Sequence, residues 1–143
     1  MDRDAAMREI FSMLAVLAVA LCVVAAAVFL GGDRGLFVPV PETTVENFTR
    51  EITTRRFDLA MKQLATSRSH SETPQTLTAR FDPMLHAVGE INHVDAEAGW
   101  MSGDRASASA TVEGERGTRS LDFTLVREHG LWKIDGLPDL HVQ

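Results

Sequence analysis

His93 and Asp95 are the pair in this chain whose types and spacing best suit acid–base chemistry. Residues two apart on a strand share a face, and a carboxylate beside an imidazole can orient it or take part in its proton transfer. Asp82, His86 and Glu90 offer a second arrangement, spaced four apart along a helix, which is half of a carboxylate and histidine metal site. The surrounding residues argue against both. Val94, Ala96, Ala98 and Trp100 alternate through the first stretch and claim the buried face, so His93, Asp95 and Glu97 are expected in water. Nothing near the second stretch supplies the convergent ligands a metal wants, so Asp82 and His86 are expected to form a surface ion pair. His70, in a polar loop, and His129, in a tight turn, are expected in solvent, and Asn47-Phe48-Thr49, a glycan-acceptor pattern, falls inside a predicted helix. No residue is assigned a catalytic, cofactor-binding or metal-binding role, and no cofactor is expected.

The chain has 143 residues and one long apolar run. Residues 10–30, IFSMLAVLAVALCVVAAAVFL, begin with Ile10, end with Leu30 and carry no charge. At ~1.5 Å per residue such a helix spans roughly 30 Å, the hydrocarbon thickness of a bilayer. We therefore expect a short tail over residues 1–9 and a single transmembrane helix over 10–30. The alternative is a secretion signal cleaved near Ala25-Ala26-Ala27. Cys22, the only cysteine, reads as a small apolar residue in lipid. Arg3, Arg8 and the amino terminus precede the run, whereas only Arg34 follows it closely; this bias favours a cytoplasmic N-terminus, an inner-membrane location and an exported domain. The opposite orientation leaves the domain in the cytoplasm. Ala18, Cys22 and Ala26 form a stripe of small residues that permits self-association in lipid, so a homo-oligomer is a candidate state. Beyond residue 30 there are 17 acids and 12 bases, a balance that argues against nucleic acid and against a basic grip on anionic lipid.

Residues 31–41, GGDRGLFVPVP, read as a linker, and residues 42–140 as one domain large enough to fold without staples. Thr43 and Glu46 fit a capping box, ahead of a helical face of Val45, Phe48 and Ile52 that fails at Arg55-Arg56. Phe57, Ala60, Met61 and Leu64 begin another face, and residues 66–72 read as a polar loop. Thr73-Pro74 starts a helix lined by Leu77, Phe81, Met84, Leu85 and Val88, in which Pro83 is expected to interrupt the ladder, and Gly89 stops it. The period then changes from 3.6 to 2. Inner rows of Val94, Ala96, Ala98 and Trp100, then Ala106, Ala108, Ala110 and Val112, then Leu121, Phe123 and Leu125, then Trp132 and Ile134 predict a four-stranded antiparallel meander. Helices followed by a one-sided sheet predict an α+β domain with the helices on the apolar face.

The helical VENFTREITTRRFDLAMKQL, the hairpin GWMSGDRASASATV and the closing LVREHGLWKIDGL, taken in that order, resemble the nuclear transport factor 2-like superfamily over about residues 42 to 138. More narrowly, the chain resembles the small bacterial envelope proteins of that fold that carry one N-terminal membrane helix or lipid anchor. The resemblance implies a curved sheet wrapped around a long helix, often with a pocket at the open end. It covers ketosteroid isomerases and scytalone dehydratases, whose pockets use carboxylates, histidines and tyrosines. This chain contains no tyrosine and matches none of those positions by motif. It equally covers anchored, non-catalytic scaffold components of secretion and lipid-transport complexes, which is the function expected here.

Ala106, Ala108 and Ala110 leave volume in the centre of an inner row. Either the first helix approaches closely or a cavity remains. In the second case Ala106, Ala108, Ala110, Trp100 and Phe123 are the candidate lining of a pocket for a small apolar molecule; the other expected partner is a protein of the envelope.

Overall fold

The computed structural model describes residues 40–140. The expected tail, membrane helix and most of the linker lie outside the described residues. Among the described residues, no helix is long and apolar enough to cross a membrane.

Helix α1 spans Pro41–Thr53 and begins earlier than its sequence predicts. Pro41 occupies the first turn, where a missing N–H costs nothing, and Val40 is the N-cap with no side-chain bond, so the expected Thr43 capping box does not form. Thr44 instead turns inward. Its hydroxyl donates to the Trp132 carbonyl at 3.3 Å, tying the start of the helix to the last strand. Val45, Phe48 and Ile52 are fully buried, as their spacing predicts. Arg55, at φ 59°, takes the chain out of the helix, and α2 (Phe57–Ala60) continues into a 3₁₀ turn, Met61–Gln63.

The expected polar loop contains a short helix, α3, Thr66–Ser69. Helix α4, Pro74–Val88, opens on a reciprocal cap in which Thr73 accepts from the Thr76 amide and Thr76 from the Thr73 amide. It passes through Pro83 without a break. Pro83 and Ala79, whose carbonyl loses its partner, both lie on the exposed side, where water can satisfy that oxygen, while Phe81, Met84 and Leu85 face the core. Asp82 is bonded to Arg55 at 2.6 Å and not to His86.

Strands β1 (Ile91–Ser102), β2 (Arg105–Gly114), β3 (Gly117–Glu128) and β4 (Leu131–Gly136) form one antiparallel sheet in that order, the predicted meander. His129 and Gly130 both have positive φ, which matches the twist of the β3–β4 hairpin. The outer edge of β4 is partly covered by a parallel bridge from Leu64 to Ile134.

Thr49 is 1% exposed on the inner side of α1, and its hydroxyl finds no hydrogen-bond partner among the described residues. A desolvated, unpaired hydroxyl opposes folding, so Thr49→Val is expected to stabilise the domain by about 1 kcal/mol and raise its melting temperature by several degrees. An unchanged or lower melting temperature for the full chain in detergent would show that the hydroxyl is satisfied.

Candidate functional site

The volume above the small inner row is filled by aromatic rings. Phe48 of α1 meets Phe81 of α4 edge-on at 5.9 Å between centroids and Phe123 of β3 at 5.6 Å. Ala106, Ala108 and Ala110 are buried beneath, at most 3% exposed, in one cluster with these rings. Close approach of the first helix, one of the two alternatives the alanines left open, is therefore what occupies this space. Every inner position from Ala106 to Val112 on β2, Leu121 to Leu125 on β3 and Trp132 to Ile134 on β4 is apolar.

Trp100 departs from its predicted row. Ala98 pairs with Ala108 and Met101 with Ala106, so Gly99 and Trp100 together stand opposite Ser107 alone. This bulge moves Trp100 out of the inner alternation, and its side chain is 55% exposed. Ser107 locks the bulge by accepting the Trp100 N–H at 3.0 Å. Its hydroxyl sits where a side chain at position 99 would go, since a Cβ there would lie 2.2 Å from Ser107 Oγ. Gly99 is therefore a packing requirement, and it was the one sequence signal for the bulge, breaking the alternation just before Trp100.

On the outer face, the bulge opens a lane of small side chains across all four strands. Gly99 stands opposite Ser107, Ser107 pairs with Thr124, and Thr124 pairs with Gly136. The next row toward the start of β1 is Glu97, Ser109 and Asp122, each paired to the next. Between the lane and this acidic row lies a shallow depression of about 280 Å³, lined by Gly99, Ser107, Ser109, Asp122 and Thr124, with Ala108 and Phe123 forming its floor. Asp95 and His93 continue the same outer face, exposed to solvent as their parity predicts. Basic residues of this face, Arg105 and Lys133, lie on the other side of the lane, toward the turns at Gly103 and Gly130. Acids thus predominate over most of the outer face, and its bases, Arg105 and Lys133, stand near Glu128 at one end.

The remaining titratable candidates are dispersed. His86 contributes only its carbonyl, which accepts from Arg116 at 3.1 Å, and Glu72, buried at the start of α4, is held by Thr76 at 2.7 Å and Arg80 at 3.4 Å. Among the described residues, no three His, Cys, Asp or Glu side chains are grouped so that they could hold a metal ion. Of the expected lining residues, Ala106, Ala108, Ala110 and Phe123 are brought together in the core, and Trp100 is not with them. Reading the strands as uninterrupted alternation missed the outer lane, because such a pattern only distinguishes inside from outside and gives small polar residues no further meaning.

No protein-family model matches the chain, and no curated protein matches it. Among solved structures, a Campylobacter jejuni protein whose name places it with the NTF2-like transpeptidases is similar at a TM-score of 0.54 and 17% identity, over 67% of this chain and 97% of that one. At that identity the likeness shows the fold alone. Helices packed on one face of a four-stranded antiparallel sheet form an NTF2-like α+β fold.

Proposed function

We propose that the chain is a single-pass membrane protein, anchored through residues 10–30, whose domain is exported and holds a partner protein on the outer face of its sheet without performing chemistry. The observation that carries this reading is the lane of Gly99, Ser107, Thr124 and Gly136 beside the acidic row of Glu97 and Asp122. Side chains this small leave the strands accessible, and hydroxyls and carboxylates offer acceptors to backbone amides and basic side chains. An extended, basic segment of another protein fits that chemistry. A small apolar molecule fits it less well, because the depression is shallow and lined by the side chains of Ser107, Ser109, Asp122 and Thr124, and the inner face is occupied by Phe48, Phe81 and Phe123. The same packing weighs against an isomerase- or dehydratase-type enzyme, whose acid or base would have to face an enclosed space.

A photo-crosslinking residue at Ser109 of the full chain is expected to give one discrete protein adduct in cells, and Asp122→Lys is expected to abolish it. The same probe at Ser71, exposed and outside the sheet, should give none. Equal labelling at both positions, or an adduct indifferent to Asp122→Lys, would remove the outer face from consideration. Orientation is read from alkaline phosphatase fused after Gln143, which is expected to be active; an inactive fusion together with a bright cytoplasmic reporter would reverse it.

A further inference from the structure

Four large apolar side chains are exposed among the described residues, and all four lie at one end of the domain. They are Val40, Trp100, Met101 and Leu131, at 36%, 55%, 58% and 51% exposure. Single exposed apolar residues scattered over a surface need no explanation, but convergence from three separate parts of the chain does. Trp100 and Met101 precede the β1–β2 turn, and Leu131 follows the β3–β4 turn. Those turns share an end of the sheet: the Arg127 N–H donates to the Asp104 carbonyl at 2.8 Å. Val40 is brought to the same end by α1, because Thr44 in its first turn is bonded to Trp132, the neighbour of Leu131.

This is also the end from which the chain runs back toward residues 10–30. Val40 lies ten residues beyond Leu30 in the chain. Fully extended, that stretch reaches at most about 35 Å, and as a flexible chain its root-mean-square span is about 17 Å. The exposed apolar end is thus tethered within a short distance of the place where an uncharged 21-residue run would meet the membrane surface. Tethering at that range raises the effective concentration of lipid at this end and lets a few apolar side chains suffice for contact.

We infer that this end of the domain docks on the phospholipid interface, with Trp100, Met101 and Leu131 entering the boundary between headgroups and acyl chains; the inference rests on the anchored reading above. Tryptophan suits that depth, since its ring is apolar and its indole N–H can stay hydrated. Of the outer-face bases nearest this end, Arg105 is the one placed to meet the phosphates, whereas the Lys133 ammonium donates to the Lys62 carbonyl at 2.6 Å. Of the nearby acids, Glu128 accepts from the Thr66 amide and hydroxyl, at 3.1 Å and 2.9 Å, and Asp104 lies in the β1–β2 turn, so two carboxylates offset the bases at this end. Net charge beyond residue 30 is negative, so apolar insertion and not charge carries the contact. Docking fixes the tilt of the sheet, and the lane on its outer face is held beside the bilayer, where a partner in the same membrane can reach it.

The chain has two tryptophans, so Trp132→Phe leaves Trp100 as the only one. The full chain with that change is reconstituted into phosphatidylethanolamine and phosphatidylglycerol vesicles containing lipids brominated near the carbonyl end of the acyl chains. Trp100 emission is expected to shift to the blue and to be quenched by the shallow bromines. Should Trp132→Phe fail to fold, Leu131→Cys in a Cys22→Ser chain, carrying a nitroxide, reports the same depth through broadening by oxygen over a water-soluble nickel chelate. An alkaline wash of the vesicles reads the anchor separately. Quenching in wash-resistant protein supports the inference; unquenched emission in wash-resistant protein overturns it and leaves the anchor intact. Protein that washes off overturns the anchor, and quenching recorded before the wash then still decides the contact. Emission that is blue-shifted but unquenched means that a second copy covers this end, which also overturns the inference.

Discussion

Phe48→Ala is expected to destabilise the domain by about 3–5 kcal/mol, a large share of the roughly 5–15 kcal/mol that holds a domain of this size together. Phe48 is fully buried and is the ring through which α1, α4 and β3 meet, edge-on to both Phe81 and Phe123. Alanine at that position removes the ring's transfer energy and leaves a void above Ala106, Ala108 and Ala110, whose methyl groups cannot expand to fill it. Neighbouring rings are held from opposite sides and can relax only partly. Phe48→Leu, which keeps most of the volume but loses the two edge contacts, is expected to cost less, about 1–2 kcal/mol. Trp132→Ala falls near the alanine value, since Trp132 is 5% exposed on the inner row, with the Arg127 guanidinium 6.0 Å from its ring centre. Lys133→Ala removes one exposed bond, to the Lys62 carbonyl, and should cost well under about 1 kcal/mol. Emission from Trp132 in the full chain in detergent follows unfolding for the Phe48 and Lys133 variants. If Phe48→Ala melts near the parent temperature, the space above the alanines is not tightly packed, and a ligand cavity on the inner face returns to consideration.

Most of this core was legible in the sequence because burial repeats at the period of each element. Val45, Phe48 and Ile52, then Leu77, Phe81, Met84, Leu85 and Val88, gave the helical faces, and Leu121, Phe123 and Leu125 a strand face; all are buried. Features set by geometry between elements were not legible. Pro83 argued for a break, but a proline on the wet side of a helix leaves its orphaned carbonyl to water, and that side is known only once the helix is packed. Thr43 and Glu46 have the spacing of a cap, yet the docking of Thr44 on Trp132 and the first-turn proline start the helix earlier. Trp100 was placed inside by parity, and a single bulged residue reversed it. That last difference matters most for function. It moves the candidate surface from the inner face of the sheet to the outer one, and it gives the exposed end of the domain its largest apolar side chain.

Gly114→Ala is expected to rank with the core substitutions although no side chain is lost. Gly114 closes β2, pairs with Ile91 on one side and Gly117 on the other, and lies against the end of α4. A Cβ there would stand 2.3 Å from the Val88 carbonyl oxygen and 2.9 Å from that of Glu90. Both contacts are backbone, so no rotamer change can relieve them. The same two carbonyls accept the hydrogen bonds that join the β2–β3 turn to the helix: Glu115 N–H donates to Glu90 and Arg116 N–H to Val88, each at 2.9 Å. The bond to Val88 satisfies an acceptor that the helix terminus cannot satisfy internally, and the bond to Glu90 ties the turn to the segment that follows the helix. Making room for the methyl group must part the turn from the helix, combining about 1–3 kcal/mol of overpacking with about 1 kcal/mol for each of the two weakened bonds, so a loss of about 3–5 kcal/mol is expected. Gly103→Ala is the matched comparison: its φ is 58° and nothing lies within 4 Å of the added atom, so only the left-handed backbone is penalised, by about 1–2 kcal/mol. Amide exchange separates the two mechanisms, since Glu115 and Arg116 should lose protection in Gly114→Ala and keep it in Gly103→Ala. Equal melting temperatures with unchanged protection at both amides would mean that the turn does not bear on the helix end, and that α4 is held to the sheet by its apolar face alone.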